Sequence, residues 1–393
     1  MKRVSLLCAE CNACIETCKH NAITFIEDKE GFSYPYINEK LCVNCHLCEQ
    51  VCPMQNASKI LYEKNTAIAA QALDSKILKN SSSGAIFPLI AQYILEKKGI
   101  VYGASWDKDL QLRHIGIDNI KDLPLLKGSK YVHSQIKFVY QEIKEYLRQN
   151  RFVYFTGTPC QVGGLRLFLR HDYPNLITSD IVCHGTPSQK GFNKIIFEIE
   201  KEKKGKITSY KFRDKQVLGW NCGSSSFHIN NQKIIYNKNM KAYFRAFIKG
   251  DITRMDCYQC PFSCIKRVGD ITLADYWDID KQHPNFPNYQ KGVSLILINT
   301  NKGNSIWEHI QRQTVHTQSS IEKILQTCNT NLKYPTPLSE SRIESYYKLL
   351  HKYNEFIDSY IDKKDKTNFY KTYYKQKLKQ YFIFKYLFNI IGK

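Results

Sequence analysis

Eight of the fifteen cysteines fall within the first 52 residues, in two runs of identical spacing. The first is Cys8, Cys11, Cys14 and Cys18; the second is Cys42, Cys45, Cys48 and Cys52, followed by Pro53. C-x2-C-x2-C-x3-C, given twice, is the pattern that holds two [4Fe–4S] clusters. The x2 steps let three thiolates close around one cube face, and the x3 step points the fourth away. In that arrangement the fourth cysteine of each run serves the other cluster. Cys8, Cys11, Cys14 and Cys52 are therefore expected around one cubane, and Cys42, Cys45, Cys48 and Cys18 around the second. Zinc also favours C-x2-C pairs, but its structural sites use two pairs across a long loop, and a third cysteine at x2 is surplus to a tetrahedral ion.

The segment between the runs, AITFIEDKEGFSYPYI, reads as a hairpin turning at Gly31. Residues 1–60 thus read as a small bacterial-ferredoxin-like module. Lys19 follows Cys18 where such modules often carry proline, which loosens the turn without removing a ligand. Only VSLL separates Arg3 from the region of the first cysteine, too short for a secretory h-region. No stretch approaches the roughly 20 apolar residues of a membrane span. A cytoplasmic protein is expected, with cysteines used as ligands rather than disulfides. The formal charge of +21 overstates the loaded protein, because thiolate-bound clusters carry net negative charge. The remaining basicity suits an acidic partner, an anionic substrate, nucleic acid or anionic lipid without specifying which; a composition rich in lysine and asparagine accounts for it equally well.

A chain of 393 residues has room for two or three domains. From about residue 66 helices and strands alternate. Ile86, Leu89, Ile90, Tyr93 and Ile94 share one helical face, as do Ile136, Val139, Tyr140, Ile143 and Leu147. GIVYGAS (99–105), RFVYF (151–155) and LITSDIVC (176–183) read as strands, with helices starting near Pro159 and Ser188. This alternation predicts βαβ units and a parallel sheet. Residues 207–237 read instead as an antiparallel hairpin region around Asn230–Asn231, and DITLADY (270–276) and VSLILINT (293–300) as further strands. The expected class is α/β, α+β overall: the module at 1–60, a larger mixed α/β domain at 61–338, and a basic helical tail at 339–393. From Lys366 onward the tail has no acidic residue. Its run of Tyr381, Phe382, Phe384, Tyr386, Leu387 and Phe388 suits peripheral contact with an anionic membrane surface, or docking on the protein or a partner.

A second set of cysteines is scattered. Cys160 sits in FTGTPCQVGGL at a helix start, with Thr158 as N-cap and Pro159 at the first helical position. A thiol there is expected to favour its thiolate. Cys183 ends the next strand, on the sheet edge where α/β proteins place ligands. Cys257 and Cys260 add a C-x2-C pair. Together these four suffice for a third [4Fe–4S] cluster, with Cys264 a spare or a substitute. A redox-active thiol at Cys160, a zinc site, or inert buried cysteines are the competing readings. Cys222 and Cys328 have no motif and read as packing residues. His184, beside Cys183, reads as a hydrogen-bond partner, and Asp270, Asp275 and Trp277 as shapers of the loop after the cysteine pair. Ser81, Ser82, Ser83 and Gly84 at one helix start, and Lys127, Gly128 and Lys130 ahead of another, suit phosphate or ordinary capped turns.

In order along residues 1–340, these motifs resemble the coenzyme F420 hydrogenase/dehydrogenase beta-subunit family, in its bacterial form with an amino-terminal double-cluster module. The matching segments are SSSGAIFPLIAQYIL (81–95), IVYGASWD (100–107), LKGSKYVHS (126–134), FTGTPCQVGGLRLFL (155–169), DIVCHGTPS (180–188), CYQCPFSCIKRVGDITLADYWDI (257–279) and GVSLILINTNKG (292–303). The resemblance implies an iron–sulfur flavoprotein oxidoreductase. Electrons would pass from a ferredoxin-type donor through [4Fe–4S] clusters to FAD, and on to F420 or an organic substrate. It implies flavin neighbours at Ser81, Ser82, Ser83, Gly84, Lys127, Gly128, Ser129, Lys130, Gly157 and Thr158, and an additional cluster at Cys160, Cys183, Cys257 and Cys260. A non-catalytic electron-transfer subunit is the alternative. The expected partner is an acidic electron carrier, with no nucleic acid.

Overall fold

The amino-terminal module is built on an antiparallel sheet of β1 (Lys2–Arg3), β2 (Ile23–Glu27) and β3 (Ser33–Ile37), in the order β1–β3–β2. The Asp28 carboxylate accepts from the Glu30 and Phe32 N–H groups at 2.9 and 3.0 Å, and Gly31 takes φ +89°, so the hairpin turns where expected. The computed structural model describes the backbone of residues 2–3, 7–63, 65–220 and 224–391, and the side chains of 7–63, 65–220 and 224–378.

The body is organised on an eight-stranded sheet. Its strands are β4 (Thr66–Ala72), β5 (Ile100–Trp106), β6 (Leu112–Ile117), β7 (Val153–Gly157) and β8 (Leu176–Ile181), then β12 (Ile271–Asp275), β13 (Ser294–Ile298) and β14 (Thr314–Ser319). A separate antiparallel sheet holds β9 (Ile207–Lys211), β10 (Ser226–Ile229) and β11 (Gln232–Ile234). Asn230 and Asn231, both at positive φ, form the two-residue turn between β10 and β11. The large sheet runs β14–β4–β13–β12–β8–β7–β5–β6, and the parallel pairings are confined to the neighbours β12–β8, β8–β7 and β7–β5. The predicted parallel sheet is therefore the middle of a mixed one. β5 returns straight into β6 through Asp107–Gln111, whose ends are tied by the Asp107 carboxylate, and so short a link permits only an antiparallel pair.

Side chains on the parallel strands alternate between two cores. Ile100, Tyr102, Val153, Phe155 and Leu176 face the helices Val139–Arg148 and Pro159–Leu169. Val101, Tyr154 and Ile177 face the helices Ile86–Glu96 and Asn301–Ile310. The module packs on the first side, and two glycines make room for it. A Cβ on Gly164 would lie 3.0 Å from the Cys11 Sγ, and one on Gly163 2.9 Å from Ile60 Cδ1.

Two buried arginines clamp module to body. Arg254 donates to the Cys8 carbonyl (2.6 Å), the Glu10 carboxylate (2.9 Å) and the Ser33 carbonyl (2.9 Å), and its guanidinium lies over the Tyr34 ring. Arg342 holds Glu30 through two bonds of 2.6 and 2.7 Å. Arg342 belongs to the segment expected to be a tail from 339. In fact the helices Arg342–His351 and Tyr353–Tyr360 bury Tyr346, Leu349, Phe356 and Ile357 in the body's core. Only the helix Asp365–Ile391 continues beyond them. Asp365 pairs with Lys241 and Arg245 at 2.6 Å each, Phe369 and Tyr370 lie against Tyr236, and Gln376 donates to the Leu218 carbonyl. The side chains from Tyr381 to Phe388, on which membrane contact was expected to depend, lie outside the described residues. Among the described residues no helix is long and apolar enough to cross a membrane.

Candidate functional site

Cys8, Cys11, Cys14 and Cys52 are buried and line one cavity, together with Phe25, Pro35, Pro53 and Met54. Burial pushes Cys8 up to about 11 against the pull of Arg254, and raises Cys11 and Cys14 well above the usual thiol range. The sulfur of Cys52 adds to the rise at both Cys11 and Cys14. The last cysteine of the second run thus lines the same cavity as the first three of the first run. Cys18, Cys42 and Cys48 are half-buried and Cys45 is exposed.

A second cavity is lined by Cys160, Cys183, Cys257 and Cys260, with Thr158, His184, Arg254 and Asp256. Local sequence places each thiol. The Thr158 N–H donates to Gln161 Oε1 (3.0 Å) and Pro159 starts the helix, which fixes Cys160 in its first turn. Cys183 lies just past β8, and because β7 and β8 are parallel both strand ends share one edge. Cys257 and Cys260 come on the 3-10 turn Met255–Gln259 and its C-cap.

The expected thiolate preference at Cys160 is reversed. Burial first, then the neighbouring Cys260 and Cys257, push it up to about 12, although the Thr158 hydroxyl lies 3.1 Å from its sulfur. Cys257 is pushed to about 11, and Cys183 and Cys260 rise for the same leading reason. A helix N-terminus offers about half an elementary charge, which cannot offset desolvation plus three adjacent sulfurs. Such a set ionises together only around a positive core. Among the described residues no three Cys, His, Asp or Glu converge on a single-ion position. The thiols surround a space, which suits a cubane's donor set better than a tetrahedral ion.

Ala9 and Met54 line both cavities, and Cys11 feels the charge of Cys160 across them. The two sites therefore meet at a seam between module and body. Sequence reasoning missed Arg254 and Asp256, which sit at this seam. Asp256 accepts from the Cys8 N–H at 3.1 Å and from the Tyr34 hydroxyl at 3.2 Å. Their signal was present in RMDCYQC, where two charges directly precede a cysteine pair destined for burial.

Cys264 stands apart from the quartet, its thiol turned to the carbonyls of Lys266 (3.3 Å) and Pro261 (3.7 Å). Cys328 is exposed beside Asp278, which corrects its expected packing role; a polar, capped turn carries it at the surface. Cys222 lies outside the described residues. His184 is held by the Ile248 carbonyl (2.9 Å) and Asn331 (3.3 Å). Asp270 accepts from the Thr178 N–H and hydroxyl and from Thr300. Asp275 pairs with Arg213 and accepts from the Trp220 indole (2.6 Å), while Trp277 stacks on Trp220.

The two loops singled out for phosphate touch each other. Ser82 Oγ accepts from the Ser129 N–H at 2.8 Å. Ser83 donates to the Val293 carbonyl, and Gly84 lies so close to β4 that a Cβ would come within 2.3 Å of the Ala70 carbonyl. Ser81 is spent on the Ile77 carbonyl. Lys130 is half-buried and folds back on the carbonyls of Leu126, Lys127 and Gly128, at 3.0–3.3 Å, and desolvation lowers it to about 7. Burial and then Lys211 lower Lys127, and burial lowers Lys215, bonded to the Ser83 carbonyl, to about 8. Gly128, at φ +90°, has open space where a Cβ would stand. Crowded, partly desolvated cations around an open glycine fit an anionic group. Thr158 lines the cysteine cavity instead, and Gly157 precedes it as the last residue of β7. The loop after Lys130 spans the interval, since the Ser134 carbonyl accepts from Gln161 Nε2 at 3.0 Å.

Residues 150–323 match the family model for the C terminus of the coenzyme F420 hydrogenase/dehydrogenase beta subunit, and residues 7–56 match that of the 4Fe-4S dicluster domain. The resemblance read from the motifs therefore holds over both segments. The coenzyme F420-dependent sulfite reductase of Methanocaldococcus jannaschii is 24% identical over 330 residues, 81% of this chain and 48% of that protein. The chain spans about half the length of this curated relative. A solved structure of the F420-reducing [NiFe] hydrogenase complex from Methanosarcina barkeri contains a similar chain, with 19% identity and a TM-score of 0.45 over 76% of this chain and 89% of that one.

Proposed function

We propose that this chain is an iron–sulfur flavoprotein oxidoreductase that takes electrons from an acidic ferredoxin-like carrier and delivers them to F420 or an organic substrate. The observation that carries this reading is the seam: two thiol-lined cavities share Ala9 and Met54, and the sulfur of Cys160 adds to the rise at Cys11 across it. Cys8, Cys11, Cys14 and Cys52 would hold one cluster, Cys18, Cys42, Cys45 and Cys48 another, and Cys160, Cys183, Cys257 and Cys260 a third. The bound clusters and FAD would supply one-electron transport and its conversion to two-electron chemistry. Ser82 and Ser129 fasten the two loops that would receive the flavin phosphates, and Lys127, Lys130 and Lys215 set a positive field there. Arg254 keeps the module seated, and Met54 with the buried wall of the cavities excludes water from the seam. The curated relative is named as F420-dependent, which supports F420 as the acceptor or donor.

A second reading, a non-catalytic electron-transfer subunit, is favoured by one fact: the curated relative carries as much chain again beyond the matched part. Anaerobic purification followed by iron, sulfide and flavin quantification and EPR tests the leading proposal. Iron–sulfur signals with about one FAD per chain and F420 turnover by the isolated chain support it. Iron and flavin without turnover of F420 or another small substrate support the subunit reading, and a colourless zinc protein overturns both.

A further inference from the structure

The eight cysteines of the module differ in exposure by group. Cys8, Cys11, Cys14 and Cys52 are all buried, whereas Cys18, Cys42 and Cys48 are half-buried and Cys45 is exposed. The buried group faces the body across the seam, so the accessible group lies at the module's outer tip. Around that tip the chain leaves large apolar side chains in water: Leu41 is 49% and Val43 58% exposed, on either side of Cys42. A solvated loop between ligands has no structural need for either side chain. Exposed apolar residues rimmed by polar ones mark interaction sites.

The rim is polar and mixed in charge. Lys19, His20, Glu39, Lys40 and Asn44 are exposed, and the Cys42 N–H donates to the Asn38 carbonyl, which draws this loop against the end of β3. Glu49 is turned onto His46 at 3.2 Å. The exposed Lys19 and Lys40 at the tip give an acidic protein a favourable approach.

We propose that the tip formed by Lys19, Lys40, Leu41, Val43 and Cys45 is the docking face for a small acidic one-electron carrier protein. The apolar pair would make the close contact and the lysines would steer it. This rests on the electron-transfer reading above and adds the surface at which electrons enter. Because the tip is small, the complex is transient, in the size class of redox encounters.

The test uses the anaerobically loaded full chain and a photoreduced acidic 2[4Fe–4S] ferredoxin. Leu41→Asp and Lys40→Glu, neither at a ligand position, are compared with the unaltered protein by stopped-flow cluster reduction. Dithionite, which needs no docking face, provides the reference rate, and EPR reports whether the clusters are intact. The expected result is about a tenfold fall in the second-order rate with ferredoxin, with dithionite rates and EPR spectra preserved, and a steeper loss with salt in the unaltered protein. Equal ferredoxin rates in variants and parent overturn the docking face alone. A parent that neither ferredoxin nor dithionite reduces overturns the electron-transfer reading itself.

Discussion

Between Cys8 and Cys18 the chain never strays far from one site, and three of its four thiols line the same cavity. Cys160, Cys183, Cys257 and Cys260 reach theirs from a helix start, a strand end and a separate turn. The module has short strands, short helices and little core of its own, so its geometry depends on what the thiols hold. The quartet is attached to an eight-stranded sheet with cores on both faces, so its geometry is set by the fold and would not depend on a bound cluster. One site makes its scaffold; the other is made by its scaffold.

Removing the iron should separate the two most strongly. After anaerobic chelation, backbone amides of residues 7–56 are expected to lose hydrogen-exchange protection almost entirely, while those of β5, β7 and β8 change little. Equal loss in both would break the contrast. Next in size, Cys257→Ala should remove about a third of the iron and leave the module's EPR signal in place; loss of all iron would show that the quartet does not stand alone. Arg254→Met should then cost about 3–5 kcal/mol in denaturant unfolding, because Glu10 and Asp256 would be left buried without their partner.

Two smaller effects sharpen the account of the anion loops. Ser82→Ala removes the acceptor for the Ser129 N–H and should weaken flavin binding by about 1 kcal/mol, measured by fluorescence titration. Lys130 gives the sign of a pH dependence. Its folded value of about 7 lies below its unfolded value of 10.5, so the native state binds fewer protons between these limits. Stability without ligand therefore rises with pH across that window, and below about 7 the full burial penalty remains. An anionic ligand favours the charged lysine, so its affinity should fall above about pH 7, by at most about tenfold per unit. A flat profile would remove Lys130 from the ligand's surroundings.

The module was the most legible region because its chemistry is written in consecutive spacing: Cys52 joins Cys8, Cys11 and Cys14 through a rule that needs no tertiary knowledge. The strand ends bearing Cys160 and Cys183 were legible because parallel pairing of adjacent βαβ strands puts them on one edge. The antiparallel flanks were not. β4, β6 and β14 have partners far along the chain or across a short return, and β4 is an alanine-rich TAIAAQA that carries little β signal. The ionisation of Cys160 was misread for a related reason. A helix start is visible locally, but the sulfurs of Cys257 and Cys260, which outweigh it, arrive about a hundred residues later. The body's use of 342–360 was hidden because a basic, tyrosine-rich segment masks the spacing of Tyr346, Leu349, Phe356 and Ile357.

The nearness of Cys11 to Cys160 has a consequence for the proposed electron traffic across the seam. Negative charge accumulating on one side raises the energy of placing more on the other, the more so in a dry, weakly polarisable interior. With clusters held at both sites, the pair would behave as a turnstile rather than a reservoir: it would admit a second charge readily only after the first had moved on.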